Sequence, residues 1–231
     1  MLYPKINSLY KRHGWYFDEK DKKNTSSELQ KNRQSFIIGD YACPEFESIN
    51  RWQIDEKIDG TNIRVIWEPW AENPVTFGGR TPNAQIPTGL LLHLQKTFTR
   101  AQLFKHFPVC HRVVFFGEGY GPKIQAVGSK YRNDVSFILF DVWIDGWWLE
   151  KDTVKSIADD LEIEHTIGGD ILSTQEVVDF VKSKPISYSS VDRSLVMEGV
   201  IARSYPLMMF RQRGAPIMFK LKVKDFPECN V

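Results

Sequence analysis

Six short runs rich in β-branched and aromatic residues, with no regular strand-helix-strand alternation between them, set the strongest limit on how this chain can fold. They are Trp52 to Lys57, Asn62 to Glu68, Arg112 to Glu118, Val135 to Ile144, Leu195 to Ser204 and Ile217 to Val223. Their Val, Ile, Phe and Trp suit a pleated, half-buried surface. Strands that outnumber helices without βαβ order exclude a doubly wound fold and predict α+β architecture with mainly antiparallel sheets. Asp59-Gly60-Thr61, between the first two runs, is a turn signal. We therefore expect an antiparallel hairpin there, with Lys57 at its mouth.

Three helices are expected beside the strands. Gly89 to Phe107 carries Leu91, Leu94, Phe98, Ala101 and Phe104 at i, i+3, i+4 spacing. Asp152 to Leu161 opens on an N-cap type of residue, and Ser173-Thr174-Gln175-Glu176 matches a capping box ahead of Val177, Val178, Phe180 and Val181. All three read as packing elements. Asp18 to Gln34 is almost wholly polar and charged, so a mobile loop is expected at 18–34. It would lie in an N-terminal lead-in of residues 1–50, ahead of a main domain at 51–231.

Composition excludes several classes of function. A chain of 231 residues, 42% hydrophobic and 26% charged, can bury a core and is neither disordered nor fibrous. Its 30 basic and 29 acidic residues leave a net charge of +1, so any affinity for nucleic acid must come from local basic patches. No apolar run approaches the roughly 18 residues of a membrane span, and Met1 to Gly14 lacks a signal-peptide core. A soluble, cytoplasmic protein with no membrane partner is expected.

Cys43, Cys110 and Cys229 are odd in number and far apart, which fits neither a disulfide framework nor a zinc site. His13, His93, His106, His111 and His165 show no metal-ligand spacing. Cys110 and His111 would face opposite ways on a strand and so form no nucleophilic pair. Gly117-Glu118-Gly119-Tyr120-Gly121 is followed by Pro122 and by no Gly-Lys-Ser/Thr, so it is neither a P-loop nor a dinucleotide fingerprint.

One run carries chemistry: Glu56-Lys57-Ile58-Asp59-Gly60-Thr61-Asn62. A bare Lys-x-Asp-Gly arises by chance in about one chain in twenty of this length. Its functional form is a nucleophilic lysine at a strand end, beside a glycine turn that lets phosphate approach the backbone. Later segments decide the matter. Phe77-Gly78-Gly79-Arg80-Thr81, Phe115-Phe116-Gly117-Glu118-Gly119, Phe137-Ile138-Leu139-Phe140-Asp141-Val142, Glu198-Gly199-Val200-Ile201-Ala202-Arg203 and Phe219-Lys220-Leu221-Lys222 follow in that order.

This succession resembles the covalent nucleotidyltransferase superfamily of polynucleotide ligases and mRNA capping enzymes. Gly60-Thr61-Asn62 and the run Gly119-Tyr120-Gly121-Pro122-Lys123-Ile124-Gln125 look like the RNA ligases within it, closest to the second phage-type family and its bacterial relatives. Asn62 stands where capping guanylyltransferases and DNA ligases usually have arginine. A module that binds RNA or nucleotide without turnover is the rival of a different class.

The resemblance implies an α+β nucleotidyltransferase fold whose antiparallel sheets flank a nucleotide pocket. It implies ATP and Mg²⁺ (or Mn²⁺) as cofactors, and RNA 5′-phosphate and 3′-hydroxyl ends as partners. Lys57 would be the catalytic nucleophile that carries AMP, with Lys220 and Lys222 lowering its proton affinity and neutralising phosphate. A free lysine, with a pKa of about 10.4, is neutral only about once in a thousand molecules near pH 7.4. Glu198 would organise the metal, largely through water, and the reacting phosphate. Glu118 and Arg80 would fix the ribose, Phe140 would stack on adenine, and Glu56 would reach the adenine amino group. Asp59 would orient the lysine or the Gly60 turn, and Asn62 would contact the activated RNA end or phosphate.

Lys123, Lys130, Arg132, Arg211 and Arg213 are candidate RNA phosphate contacts, weighed against a plain solvated surface. Nine residues follow Lys222, so no C-terminal OB or other accessory domain is expected. An accessory protein or the first fifty residues would then supply further RNA contacts.

Overall fold

The computed structural model describes residues 1–12 and 36–226. The loop expected at 18–34, together with His13 and Cys229, lies outside the described residues. The chain forms two compact units, one built from Met1–Pro4, Ile58–Ile167 and Ser187–Leu195 and the other from Lys5–Lys57, Gly168–Ile186 and Val196–Val231. The architecture is α+β with mainly antiparallel sheets, as the strand-rich pattern predicts.

In the second unit, numbering elements in chain order, a five-stranded sheet runs β1 (Asn7–Ser8), β13 (Met218–Lys222), β12 (Gly199–Ser204), β4 (Trp52–Glu56) and β11 (Gly168–Leu172). The β1/β13 pair is parallel and the others antiparallel. Beside it, β2 (Tyr10–Arg12) pairs with β3 (Phe36–Tyr41). Alternation sorts the central strands into two faces. Trp52, Ile54, Val200, Ala202, Phe219 and Leu221 bury into a core with Phe46 of α1 (Glu45–Ser48) and with Val177, Val178 and Val181 of α6 (Thr174–Lys182). Each Val, Ile, Leu or Phe side chain among them contributes roughly 1.5–3 kcal/mol of burial.

The residues between them fall on the opposite face: Asp55, Ile201, Arg203, Lys220 and Lys222. Helix α6 starts where expected. The Ser173 hydroxyl accepts from the Glu176 N–H and the Glu176 carboxylate accepts from the Ser173 N–H at 2.7 Å, which holds the Glu176 carboxyl below its ordinary range. Trp52 Nε1 donates to the Thr174 hydroxyl at 2.9 Å and so anchors that helix to the sheet.

In the first unit the sheet order is β10 (Glu164–His165), β8 (Ser136–Ile144), β7 (Val113–Tyr120), β5 (Thr61–Trp67) and β6 (Val75–Gly79), with β9 (Trp147–Trp148) on β8. One face is covered by α2 (Thr88–Thr97), α3 (Arg100–His106) and α5 (Lys151–Asp160), and a short α4 (Gly128–Tyr131) follows β7. Ile63, Val65, Trp67, Val113, Phe115, Phe137, Leu139 and Val142 bury against Leu90, Leu94, Phe98, Leu103 and Val154. A bulge in β8 lies where β7 shifts register between Phe116 and Gly117, and it sets Asp141 opposite Phe116.

Several local expectations are corrected. β4 and β5 form no hairpin: β4 pairs with β11 and β12, and β5 with β6 and β7. An Asp-Gly turn fixes only a local change of direction, whereas ladder partners are chosen by burial over the whole chain. The helix expected at 89–107 is two helices. Thr99 is extended, and its hydroxyl accepts from the Gln102 N–H to cap α3. That break moves the buried stripe to Leu90, Leu94, Phe98, Leu103 and Phe107, leaving Phe104 45% exposed. Cys110 and His111 lie in the loop before β7, not on a strand.

Candidate active site

Lys57 follows β4 directly, and its N–H donates to the carbonyl of Gly199 at 2.9 Å. Next to Gly199 stands Glu198, whose own carbonyl accepts from the Val223 N–H at 3.0 Å. Lys222 ends β13 opposite Gly199, and Lys220 sits two residues earlier opposite Ile201. Three strand ends thus bring Lys57, Glu198 and Lys222 together through main-chain bonds alone. The Glu198 carboxylate pairs with Lys57 through Oε2 and with Lys222 through Oε1. The two lysines are 22% exposed and Glu198 16%, so the cluster is shielded yet reachable.

Burial by itself pushes the Glu198 carboxyl upward. The Lys57 and Lys222 ammonium groups together outweigh that penalty and hold it below its ordinary range. It is therefore an anion at neutral pH. Lys220 shares the sheet face of Lys222 by alternation. So does Asp55, which aligns with Ile201 and is 7% exposed. Asp55 lies just outside the motif run that starts at Glu56, although its i, i+2 spacing from Lys57 is a signal in the sequence. Glu56, 3% exposed, belongs by the same alternation to the face of Trp52 and Ile54.

The remaining predicted residues lie in the first unit. Asn62 and Glu118 are direct partners across β5 and β7. The face away from the helices carries them together with Arg64 and Phe116, because their neighbours Ile63, Val65 and Phe115 fill the core. Phe140, the extra residue of the β8 bulge, is half-buried on that side, 5.0 Å from the ring of Tyr3. Arg80 follows β6 and is exposed.

Gly60 is a steric requirement: a Cβ there would lie 2.3 Å from the Gly119 carbonyl oxygen and 2.7 Å from Glu118 Cγ. Two contacts hold its turn. Gln125 Nε2 donates to the Gly60 carbonyl at 2.9 Å, and the Asp59 N–H donates to the Tyr131 hydroxyl at 3.3 Å. The sequence singles out Gln125 only as part of a longer run, because a side-chain contact to backbone 65 residues away leaves no periodic trace.

The candidate RNA contacts separate into types. Arg132 is engaged with Glu164 and Asp134 at 2.7 Å each and with the Tyr120 hydroxyl, which is the position of a structural residue. Lys130 is 3.9 Å from Asp192, Lys123 sits in a loop at φ 65°, and Arg211 and Arg213 share an exposed turn, Arg213 lying over Phe210. Among the described residues no three His, Cys, Asp or Glu side chains converge as a metal site, and no helix is long and apolar enough to cross a membrane.

The family model for RNA ligase matches residues 50–222. A Naegleria gruberi RNA ligase variant solved with ATP and Mn is similar in structure, with a TM-score of 0.60 at 15% identity, over 96% of this chain and 62% of that one. An apo variant of a Naegleria gruberi RNA ligase gives 0.58 at 16% identity, over 78% and 51%. An archaeal ATP-dependent RNA ligase gives 0.56 at 14% identity, over 79% and 45%. These likenesses show the nucleotidyltransferase fold, and the chain spans 45 to 62% of the length of these three solved proteins. Among curated proteins none matches.

Proposed function

The chain belongs to the RNA ligase family, and we propose that it is an ATP-dependent RNA ligase with Lys57 as its covalent nucleophile. The observation that carries this reading is the bridging of Lys57 and Lys222 by the Glu198 carboxylate.

In the first step the Lys57 Nζ lone pair, once a proton has left the ammonium, forms a bond to the α-phosphorus of ATP, and the bond to pyrophosphate breaks. In the second, the 5′-phosphate of an RNA end displaces Lys57 and takes the AMP. In the third, a 3′-hydroxyl attacks that activated phosphate, a phosphodiester forms and AMP leaves. Such chemistry depends on position and charge more than on covalent help. Lys220 and Lys222 supply positive charge for the phosphate oxygens, and Glu198 holds Lys57 in place until substrate competes for it.

A single carboxylate fits Mg²⁺ or Mn²⁺, since Mg²⁺ keeps several waters and takes only one or two protein carboxylates. Glu198 would hold the ion, largely through water, and the ion when bound would neutralise phosphate charge. Solved neighbours carrying ATP and Mn support this choice.

For the first unit, Glu118 and Arg80 contact the ribose, Phe140 stacks on adenine, and Asn62, paired in register with Glu118, contacts phosphate or the activated RNA end. Asp59 positions the Gly60 turn, whereas the burial of Glu56 on the face of Trp52 and Ile54 speaks against the contact with the adenine amino group that the resemblance implies for it. Residues 51–231 form the nucleotidyltransferase domain. RNA ends are the partners, an accessory protein adds RNA contacts, and the cytoplasm is where such ends and ATP meet.

Intact mass after incubation with ATP and Mg²⁺ tests the proposal. An AMP-sized gain in the native sequence that vanishes in Lys57→Ala supports it. No gain in a folded, ATP-binding protein overturns it in favour of a binding module.

A further inference from the structure

Beyond the residues with an expected role, one buried carboxylate stands next to the lysine strand. Asp225 is 7% exposed and closes the 3₁₀ turn Val223–Asp225 that follows Lys222. Its Oδ2 accepts from the main-chain N–H of Lys222 at 3.1 Å, and its Oδ1 accepts from Arg12 Nη2 at 2.8 Å. Arg12 is held in turn: its guanidinium lies 4.5 Å from the centre of the Phe36 ring. Phe36 packs on Phe226, which is 2% exposed. The N-terminal strands thus reach the lysine strand twice, through the β1/β13 ladder that sets Ser8 beside Lys220 and through the ion pair of Arg12 with Asp225.

At Lys222 the β13 ladder ends, so nothing in the sheet beyond this residue fixes its backbone. Two bonds take over. The Val223 N–H is bound to the Glu198 carbonyl, and the Lys222 N–H to the Asp225 carboxylate. A lysine side chain has four rotatable bonds, so a small tilt of its main chain swings the ammonium by ångströms, and a displacement near 1 Å can cost a factor of about a hundred in rate.

We propose that Asp225, braced by Arg12, is a positioning residue for the covalent step: it clamps the main chain of Lys222 so that the ammonium stays on Glu198 beside Lys57. The inference rests on the ligase reading above. It makes residues near the start of the chain part of the active-site scaffold, 213 positions away from the carboxylate they support.

The test is the single-turnover rate of transfer of labelled AMP from ATP to the full-length protein, with amide hydrogen exchange at Lys222 followed in parallel. Asp225→Ala is expected to speed exchange at Lys222 and to slow labelling by about ten- to a hundredfold. In a Lys222→Ala background the same change is expected to slow labelling no further. A merely structural role would lower the amplitude of labelling and leave its rate constant unchanged, and that result overturns the proposal. So does a further slowing in the Lys222→Ala background. Should Asp225→Ala fail to fold, Arg12→Ala removes the brace alone and is expected to slow labelling by about threefold to tenfold; an unchanged rate in folded Arg12→Ala overturns the proposal. Absence of label in the native sequence would instead overturn the ligase reading, and this inference with it.

Discussion

The main-chain N–H of Lys57 is bound to the carbonyl of Gly199 at 2.9 Å. The nucleophile's backbone is therefore held by the residue next to Glu198, the acid that its side chain meets. Side-chain substitutions at Lys57 leave that bond intact.

Lys57→Ala is accordingly expected to fold with a melting temperature close to that of the native protein, because it removes a partly exposed side chain and no ladder bond. Its loss of AMP transfer from ATP should be complete, since Lys57 is the proposed nucleophile and Lys222, the other lysine on Glu198, is assigned to the phosphate charge. Joining of RNA that already carries AMP should persist, measurably slower, because that step no longer needs the lysine as nucleophile.

Glu198 links the site to acid stability. Its carboxyl lies below the ordinary 4.5 in the folded chain because Lys57 and Lys222 outweigh its burial. The folded state thus binds fewer protons than the unfolded state between those two values. The contribution is complete above about pH 4.5 and is lost as pH falls through the lowered folded value. Urea unfolding from pH 6 to 3 should show a flatter acid limb for Glu198→Gln than for the native protein. At pH 7 the variant should be less stable by about 1–2 kcal/mol, the cost of a broken pair discounted for its partial exposure.

Gly60→Ala should fail for steric reasons. The added methyl would meet the Gly119 carbonyl oxygen at 2.3 Å, and main chain within a ladder cannot retreat as a flexible side chain can. A loss of about 2–4 kcal/mol in unfolding free energy is expected. In contrast, Gly146→Ala gains nothing closer than 4 Å; its cost is set by φ 108° and should stay near 1 kcal/mol, about the strain of a left-handed non-glycine residue. Thermal denaturation of the two variants side by side separates clash from strain.

Tyr3 donates a 2.5 Å hydrogen bond to Asp141, which is 2% exposed, while Lys151 stands 3.8 Å from the other carboxylate oxygen. Tyr3→Phe keeps the ring against Phe116, Phe140 and Trp148 and removes only the donor. A destabilisation of about 1–3 kcal/mol is expected from urea unfolding, because a buried carboxylate loses a partner.

Local chemistry was written plainly in the chain. Val, Ile and Phe in short runs announce the strands, Ser173 and Glu176 announce the start of α6, and the order of Lys57, Arg80, Glu118, Phe140, Glu198 and the Lys220/Lys222 pair points to the family. Each of these signals spans a few residues, within reach of propensity and pattern. Partnership did not show there. Asp59-Gly60 looked like a hairpin turn, yet β4 and β5 enter separate sheets, because a turn fixes direction while burial of whole faces selects the ladder. Thr99 broke one expected helix into two because a side-chain cap competed with a continuing helical bond. The pairing of Glu198 with two lysines 141 and 24 residues away, and of Asp225 with Arg12, depends on which strands lie adjacent. That adjacency is settled by the burial of many side chains at once, so the residue types were legible in sequence and their meeting was decided by the tertiary fold.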